Sequence, residues 1–140
     1  MIKFFTIGYD GRSPEDFIQA LTQNGIKIIA DVRLNPDQES MEMYSKTGSS
    51  DKGIERLLAD VSIKYVSLPE LGNIFSWSHC WKRKYRQLIN ETGHLLVDRL
   101  YDLGLPFALL CSERDVSDCH RKIIADFLVD LGGFEVEHIP

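Results

Sequence analysis

The chain has little cysteine. Cys80, Cys111 and Cys119 are the only three in 140 residues. An odd, low count does not make the disulfide framework of a small secreted domain. Long apolar runs are missing too, and nothing approaches the length of a transmembrane helix. The opening MIKFFTIGYDG has only a few apolar residues before Gly8, too few for the core of a signal peptide. A cytoplasmic location with no membrane partner is therefore expected. There is no excess of positive charge, since 16 Lys and Arg stand against 21 Asp and Glu, for a net charge of −5. The chain as a whole is not built to attract nucleic acid or anionic membrane. It also lacks internal repeats and low-complexity segments.

What is present reads as a single α/β domain over residues 1–140, long enough to close one core. Ile2 to Ile7 is a first strand. Ser13-Pro14-Glu15-Asp16 opens a helix, with Ser as cap, Pro at the first helical position and acids in the first turn. Phe17, Ile18 and Leu21 give that helix an apolar face, and Asn24-Gly25 ends it. Lys27 to Val32 is a second strand. Residues 35–53 are polar and form a long loop, a feature usually tied to function or mobility. A short helix from Ile54 to Val61 and a strand from Ile63 to Leu68 follow. Ser78 to Gly104 is mostly helical, with a break expected near Thr92-Gly93. Pro106 to Cys111 is a fourth strand. Asp115 to Leu131 is a helical block stopped by Gly132-Gly133, and Phe134 to Ile139 is a last strand.

Strands alternating with helices predict a mostly parallel sheet of about five strands with helices on both faces. Such a sheet delivers its carboxyl ends to one edge, where ligands bind. The first strand delivers Tyr9, Asp10 and Arg12, and the second Asp31, Arg33 and Asn35. The third delivers Glu70, Gly72 and Asn73, and the fourth Cys111, Glu113 and Arg114. The next helix begins near Cys119, His120 and Arg121. This convergence on one rim is more specific than any single motif.

TIGYDGRSPEDF, ADVRLNP, YVSLPELGN and LLCSERDVSDCHR with a final VEHI resemble the domain-of-unknown-function 488 family over Thr6 to Ile139. The resemblance implies a compact α/β fold with a site around the Cys and Cys-His-Arg elements, and it supplies no activity. The segment PDQESMEMYSKTGSSDKG departs from the basic stretch expected there. A weaker likeness to rhodanese-type domains rests on ADVR and on a strand ending in cysteine. Their tight glycine-containing loop is absent, so no sulfur-transferase activity follows.

The residues leave several chemistries open. Cys111 ends a strand, and Cys119 is expected in the first turn of a helix, where backbone N–H groups and nearby cations favour thiolate. Against that, both are small residues suited to packing. Arg121 suits an anion at a helix N-terminus, or an ion pair with Asp31 or Glu113 that ties helix to sheet. Asp31 and Arg33 lie two apart and share a face, either orienting a substrate or neutralising each other. Glu70 is a candidate base or a solvated carboxylate. His79-Cys80 and Cys119-His120 do not have the spacing of a zinc site, so no metal is expected. A Cys111–Cys119 pair would be a redox device. Trp77, Trp81, Tyr85 and Leu88 mark one helical face among Lys82, Arg83, Lys84 and Arg86, either a nucleic-acid surface or a core face with solvated cations.

The leading expectation is an enzyme with an anion-binding crevice, its cofactor unknown. Cys111, Cys119, His120 and Asp31 are the catalytic candidates. Tyr9, Asp10, Arg12, Arg33, Glu70, Asn73, Glu113, Arg114 and Arg121 are the candidates for an anionic small molecule or nucleic acid. The alternatives are a non-catalytic binding module and a thiol redox sensor. Arg33, Cys111 and Arg121 on different faces of the sheet would count against a shared crevice.

Overall fold

The computed structural model describes residues 1–104 and 106–140. Five parallel strands form one sheet: β1 (Ile2–Gly8), β2 (Ile28–Asp31), β3 (Lys64–Ser67), β4 (Phe107–Cys111) and β5 (Phe134–His138), in the order β3-β2-β4-β1-β5. The parallel α/β expectation holds. Four helices cover it: α1 (Pro14–Gln23), α2 (Gly53–Ala59), α3 (Trp81–Leu96) and α4 (Arg121–Leu131).

Alternation along the strands divides the core in two. Phe4, Ala30, Val32, Leu109 and Cys111 face Tyr85 and Ile89 of α3 and Ile124 and Leu128 of α4. Phe5, Ile7, Ile29, Ala108 and Leu110 face Phe17 and Leu21 of α1 and Ile54 and Leu58 of α2. Burial of both strand faces explains the near-continuous apolar runs in β2 and β4.

Three local expectations change. The helix expected to run from Asp115 starts at Arg121, because the Asp115 carboxylate accepts from the Ser117 backbone N–H (2.9 Å) and hydroxyl (2.7 Å). This local turn competes with the helix and leaves a short 3-10 turn at Val116–Asp118 and an extended Cys119. Helix α3 runs unbroken through Thr92-Gly93. A side chain on Gly93 would come within 2.8 Å of Phe127, so the glycine admits α4 rather than ending α3. Trp77 lies before α3 and is 77% exposed, while Tyr85 alone of that aromatic set is fully buried.

The topology makes one crevice. The connection from β2 leaves toward β3, and the one from β4 leaves the other way toward β5. Neighbouring strands whose connections diverge leave a gap at their carboxyl ends, the usual ligand position in open α/β sheets. That gap is a cleft of about 160 Å³ lined by Arg33, Leu34, Asn73, Ser76, Cys111, Ser112, Glu113 and His120. No helix among the described residues is long and apolar enough to cross a membrane.

Candidate functional site

The sheet sorts the candidate residues into two groups. Asp31 and Arg33 lie on the α1/α2 side. Asp31 is wholly buried, and its carboxylate accepts from Arg33 Nε at 2.9 Å, from Arg33 Nη2 at 2.7 Å and from the Tyr65 hydroxyl at 2.5 Å. Arg33 Nη1 donates to the Tyr9 hydroxyl (3.1 Å) and the Tyr44 carbonyl (2.6 Å). Burial opposes the Arg33 charge, but the hydrogen bonds and charge of Asp31 outweigh it and hold the guanidinium above its ordinary range. The pair neutralises itself and clamps the long loop.

Tyr9 completes that clamp. Its hydroxyl donates to Glu39, and burial, followed by the Glu39 contact, pushes its ionisation well up. The Tyr44 hydroxyl donates to the Arg12 carbonyl at 2.7 Å, and the Tyr44 ring lies 4.5 Å from that of Tyr9. Segment 36–46 is thus pinned by buried aromatics and Arg33. Arg12 is turned elsewhere, donating to the carbonyls of Gly8 (2.8 Å) and Pro140. Burial lowers its pKa, and Arg114 adds to that.

The remaining rim residues are more exposed. Asp10 is raised from its usual carboxylate range by burial, then by Glu113 and Glu39. Asp10, Glu39 and Glu113 thus lie close enough to repel one another at the β1 end of the rim. Glu70 pairs with Arg99 at 3.1 Å in a partly solvated bridge worth little. The Asn73 side chain accepts from the Phe75 N–H at 3.0 Å and shapes the turn beside the crevice. Arg114 is exposed near Gly11, and its carbonyl accepts from Arg121.

Cys111, Cys119, His120 and Arg121 gather on the opposite side, against α3 and α4. The sulfurs of Cys111 and Cys119 are joined as a disulfide, with Cα atoms 7.3 Å apart. This separation is wide for such a link. The two thiols occupy one site although eight residues separate them.

Arg121 is wholly buried at the first position of α4. Its Nη1 donates to Cys111 Sγ at 3.0 Å and to the Glu113 carbonyl at 2.5 Å, and Nη2 donates to the Arg114 carbonyl at 3.2 Å. Its Nε is buried without a partner. Among the described residues no carboxylate pairs with it, so the ion pair with Asp31 or Glu113 does not form. Burial pushes its pKa down to about 10. It remains a cation at neutral pH, and the nearest group able to carry a balancing charge is the Cys111 sulfur.

His120 is oriented by the end of β2. Its Nε2 lies 2.7 Å from the Val32 carbonyl, which only accepts, so Nε2 carries the proton. Burial, ahead of all else, lowers its pKa, which leaves the ring neutral near pH 7. The other nitrogen, Nδ1, is then a free base facing Cys119 Sγ at 3.7 Å. Cys119 also accepts the Arg121 backbone N–H at 3.4 Å. Because Cys119 is extended rather than in the first turn of the helix, its sulfur meets both the His120 ring and the Arg121 N–H.

A second cleft, of about 230 Å³, opens between the N-terminal ends of α3 and α4. Its lining includes Cys119, Trp81, Lys82, Arg86 and Lys122. Asp126, also in its wall, is taken up by Lys122 at 2.8 Å. Sequence reasoning did not place Cys119 here, since the pairing of α3 with α4 is tertiary. The ligand atoms of Cys111, Glu113 and Cys119 lie within 4.8 Å of one another, a donor set that a thiophilic divalent ion accepts. The Arg121 cation 3.0 Å from one sulfur opposes such an ion.

Residues 13–128 match the family model described as domain of unknown function DUF488. No curated protein and no solved structure matches the chain.

Proposed function

The chain belongs to the DUF488 family, and from that premise we propose that it is a thiol enzyme acting on an anionic substrate at the β4–α4 junction. The observation that carries the reading is Arg121, buried without a carboxylate and 3.0 Å from the Cys111 sulfur. A buried cation costs several kcal/mol unless a negative charge or hydrogen bonds compensate it, on the order of the figures for unpaired buried ions. A thiolate on Cys111, in the reduced protein, supplies that charge and is a nucleophile. Cys119 has its own base in His120 Nδ1, with the ring held by the Val32 carbonyl. This is the nucleophile, base and orienting-group arrangement of covalent catalysis. Asp31 and Arg33 support the fold and take no catalytic role in this reading.

The test is the alkylation rate of Cys111 and Cys119 in the reduced protein across pH, with and without phosphate or nucleotide. The reading expects Cys111 to react well below the free-cysteine midpoint of about 8.5 and to be protected by the anion. Two slow thiols indifferent to anion would overturn it.

The joined sulfurs favour a second reading, a reversible redox pair. It expects mild peroxide to give a Cys111–Cys119 disulfide, seen as a loss of two mass units that thiol reductant reverses. Free thiols after peroxide would remove this reading and leave the first intact.

A further inference from the structure

We propose that the N-terminal end of α3, with the cleft over Cys119, binds single-stranded nucleic acid. This proposal names the substrate class of the thiol site and rests on that reading only for chemistry, since binding is measured separately. The whole chain is acidic, yet Lys82, Arg83, Lys84 and Arg86 place four cations in five residues. No Asp or Glu occurs from Leu71 through Asn90. None of the four cations is in an ion pair among the described residues, and Lys82, Arg83 and Arg86 are exposed. Lys82 and Arg86 line the cleft, where Lys122 already satisfies Asp126.

Two aromatics lie at the N-terminal end of the same helix, on different flanks. Trp77 is 77% exposed, and its ring is set by an Nε1–H bond to the Ile74 carbonyl at 3.1 Å. Lys84 Nζ lies 4.6 Å from the centre of that ring. Trp81 lines the cleft beside Cys119. A large indole held in one orientation in water has lost freedom without burying its surface, and base stacking would cover it. Aromatic platforms interleaved with unpaired cations suit a flexible polyanion with flat bases. A rigid duplex presents no free base faces to Trp77. Charge complementarity therefore selects a strand that wraps the N-terminal end of α3, from Trp77 and Lys84 on one flank to Lys82, Arg86 and Cys119 in the cleft on the other.

The test uses the full chain and a fluorescein-labelled 12-nucleotide single strand, as DNA and as RNA, followed by anisotropy from low to high salt. Binding should weaken steeply with salt. Lys82→Glu with Arg86→Glu should reduce the logarithmic salt slope by about 1.4, from roughly 0.7 per phosphate contact on a single strand. Trp77→Ala, at a surface position that does not threaten folding, should weaken binding about tenfold, as loss of one stacked base does. Bound strand should slow alkylation of Cys119.

Unchanged affinity in both variants would overturn the proposal. So would binding to vesicles of anionic phospholipid without binding to the strand, or failure of bound strand to protect Cys119. A Cys111→Ser, Cys119→Ser double variant separates the two claims. If it binds the strand normally while the wild-type thiols prove slow, the enzyme reading fails and the binding surface stands.

Discussion

Two residues beside Cys111 set the site, Gly8 of β1 through space and Arg121 of α4 through charge. Gly8 pairs with Cys111, and a side chain there would lie 1.8 Å from the Glu113 carbonyl oxygen. The obstruction is backbone, which cannot rotate away. Gly8→Ala is expected to cost about 3 kcal/mol or more, at the upper end for a single substitution, and denaturant unfolding of the variant measures it. Arg121 acts on chemistry instead. Arg121→Gln keeps donors for the Glu113 and Arg114 carbonyls and removes the charge beside Cys111. Alkylation of Cys111 at pH 7 should slow by about tenfold, the effect of one pKa unit. Arg121→Lys should retain most of the rate, and an unchanged rate in Arg121→Gln would show that the charge is not what activates the sulfur.

At the scale of elements, the clamp between β2 and the 36–46 segment carries the largest buried charge pair. Asp31→Asn keeps a partner for Tyr65 and leaves Arg33 buried and uncompensated. Breaking one side of such a pair typically costs about 3–5 kcal/mol. The loop should also loosen, because the guanidinium that holds the Tyr44 carbonyl loses the carboxylate that orients it. Limited proteolysis between Glu39 and Met43 should speed up in Asp31→Asn, with thiol reactivity little changed. A matching loss of thiol reactivity would instead couple the two faces of the sheet. Much of this was legible beforehand. The spacing of Asp31 and Arg33 put them on one face, and self-neutralisation was one of two open outcomes. The clamp on Tyr44 was not legible, because it joins segments whose contact depends on how the loop folds back.

At the scale of the molecule, two partly or fully buried histidines set the acid limit. Burial is the first cause of the lowered pKa in both His120 and His138. A histidine held neutral in the fold and free to charge when unfolded stabilises the protein above its unfolded pKa of about 6.5. That contribution is lost as pH falls from about 6.5 through the lower folded value. Stability should therefore fall with acid from about pH 6.5. His120 contributes a slope of at most about 1.4 kcal/mol per pH unit. His120→Gln, which keeps a donor for the Val32 carbonyl, should flatten that limb in urea melts at pH 7, 6 and 5. An identical limb would assign the acid sensitivity to other groups.

The sequence by itself determined the elements and their alternation, because apolar periodicity and the Ser13-Pro14 cap are local signals. It also determined that the polar residues fall at strand carboxyl ends, since a parallel sheet sends all of them to one edge. Only the tertiary structure decided how that edge divides. The sheet has two faces, and side-chain direction at strand ends put Asp31 and the hydrogen bonds of Arg33 on one and Cys111 and Arg121 on the other, with Arg33 reaching the rim cleft beside Cys111. It alone left Arg121 without a carboxylate, since the counter-charge depends on which chains pack at the start of α4. It alone set Cys119 in a cleft walled by Trp81, Lys82 and Arg86. That wall comes from helix packing across more than thirty residues of chain, a distance over which no local pattern carries information.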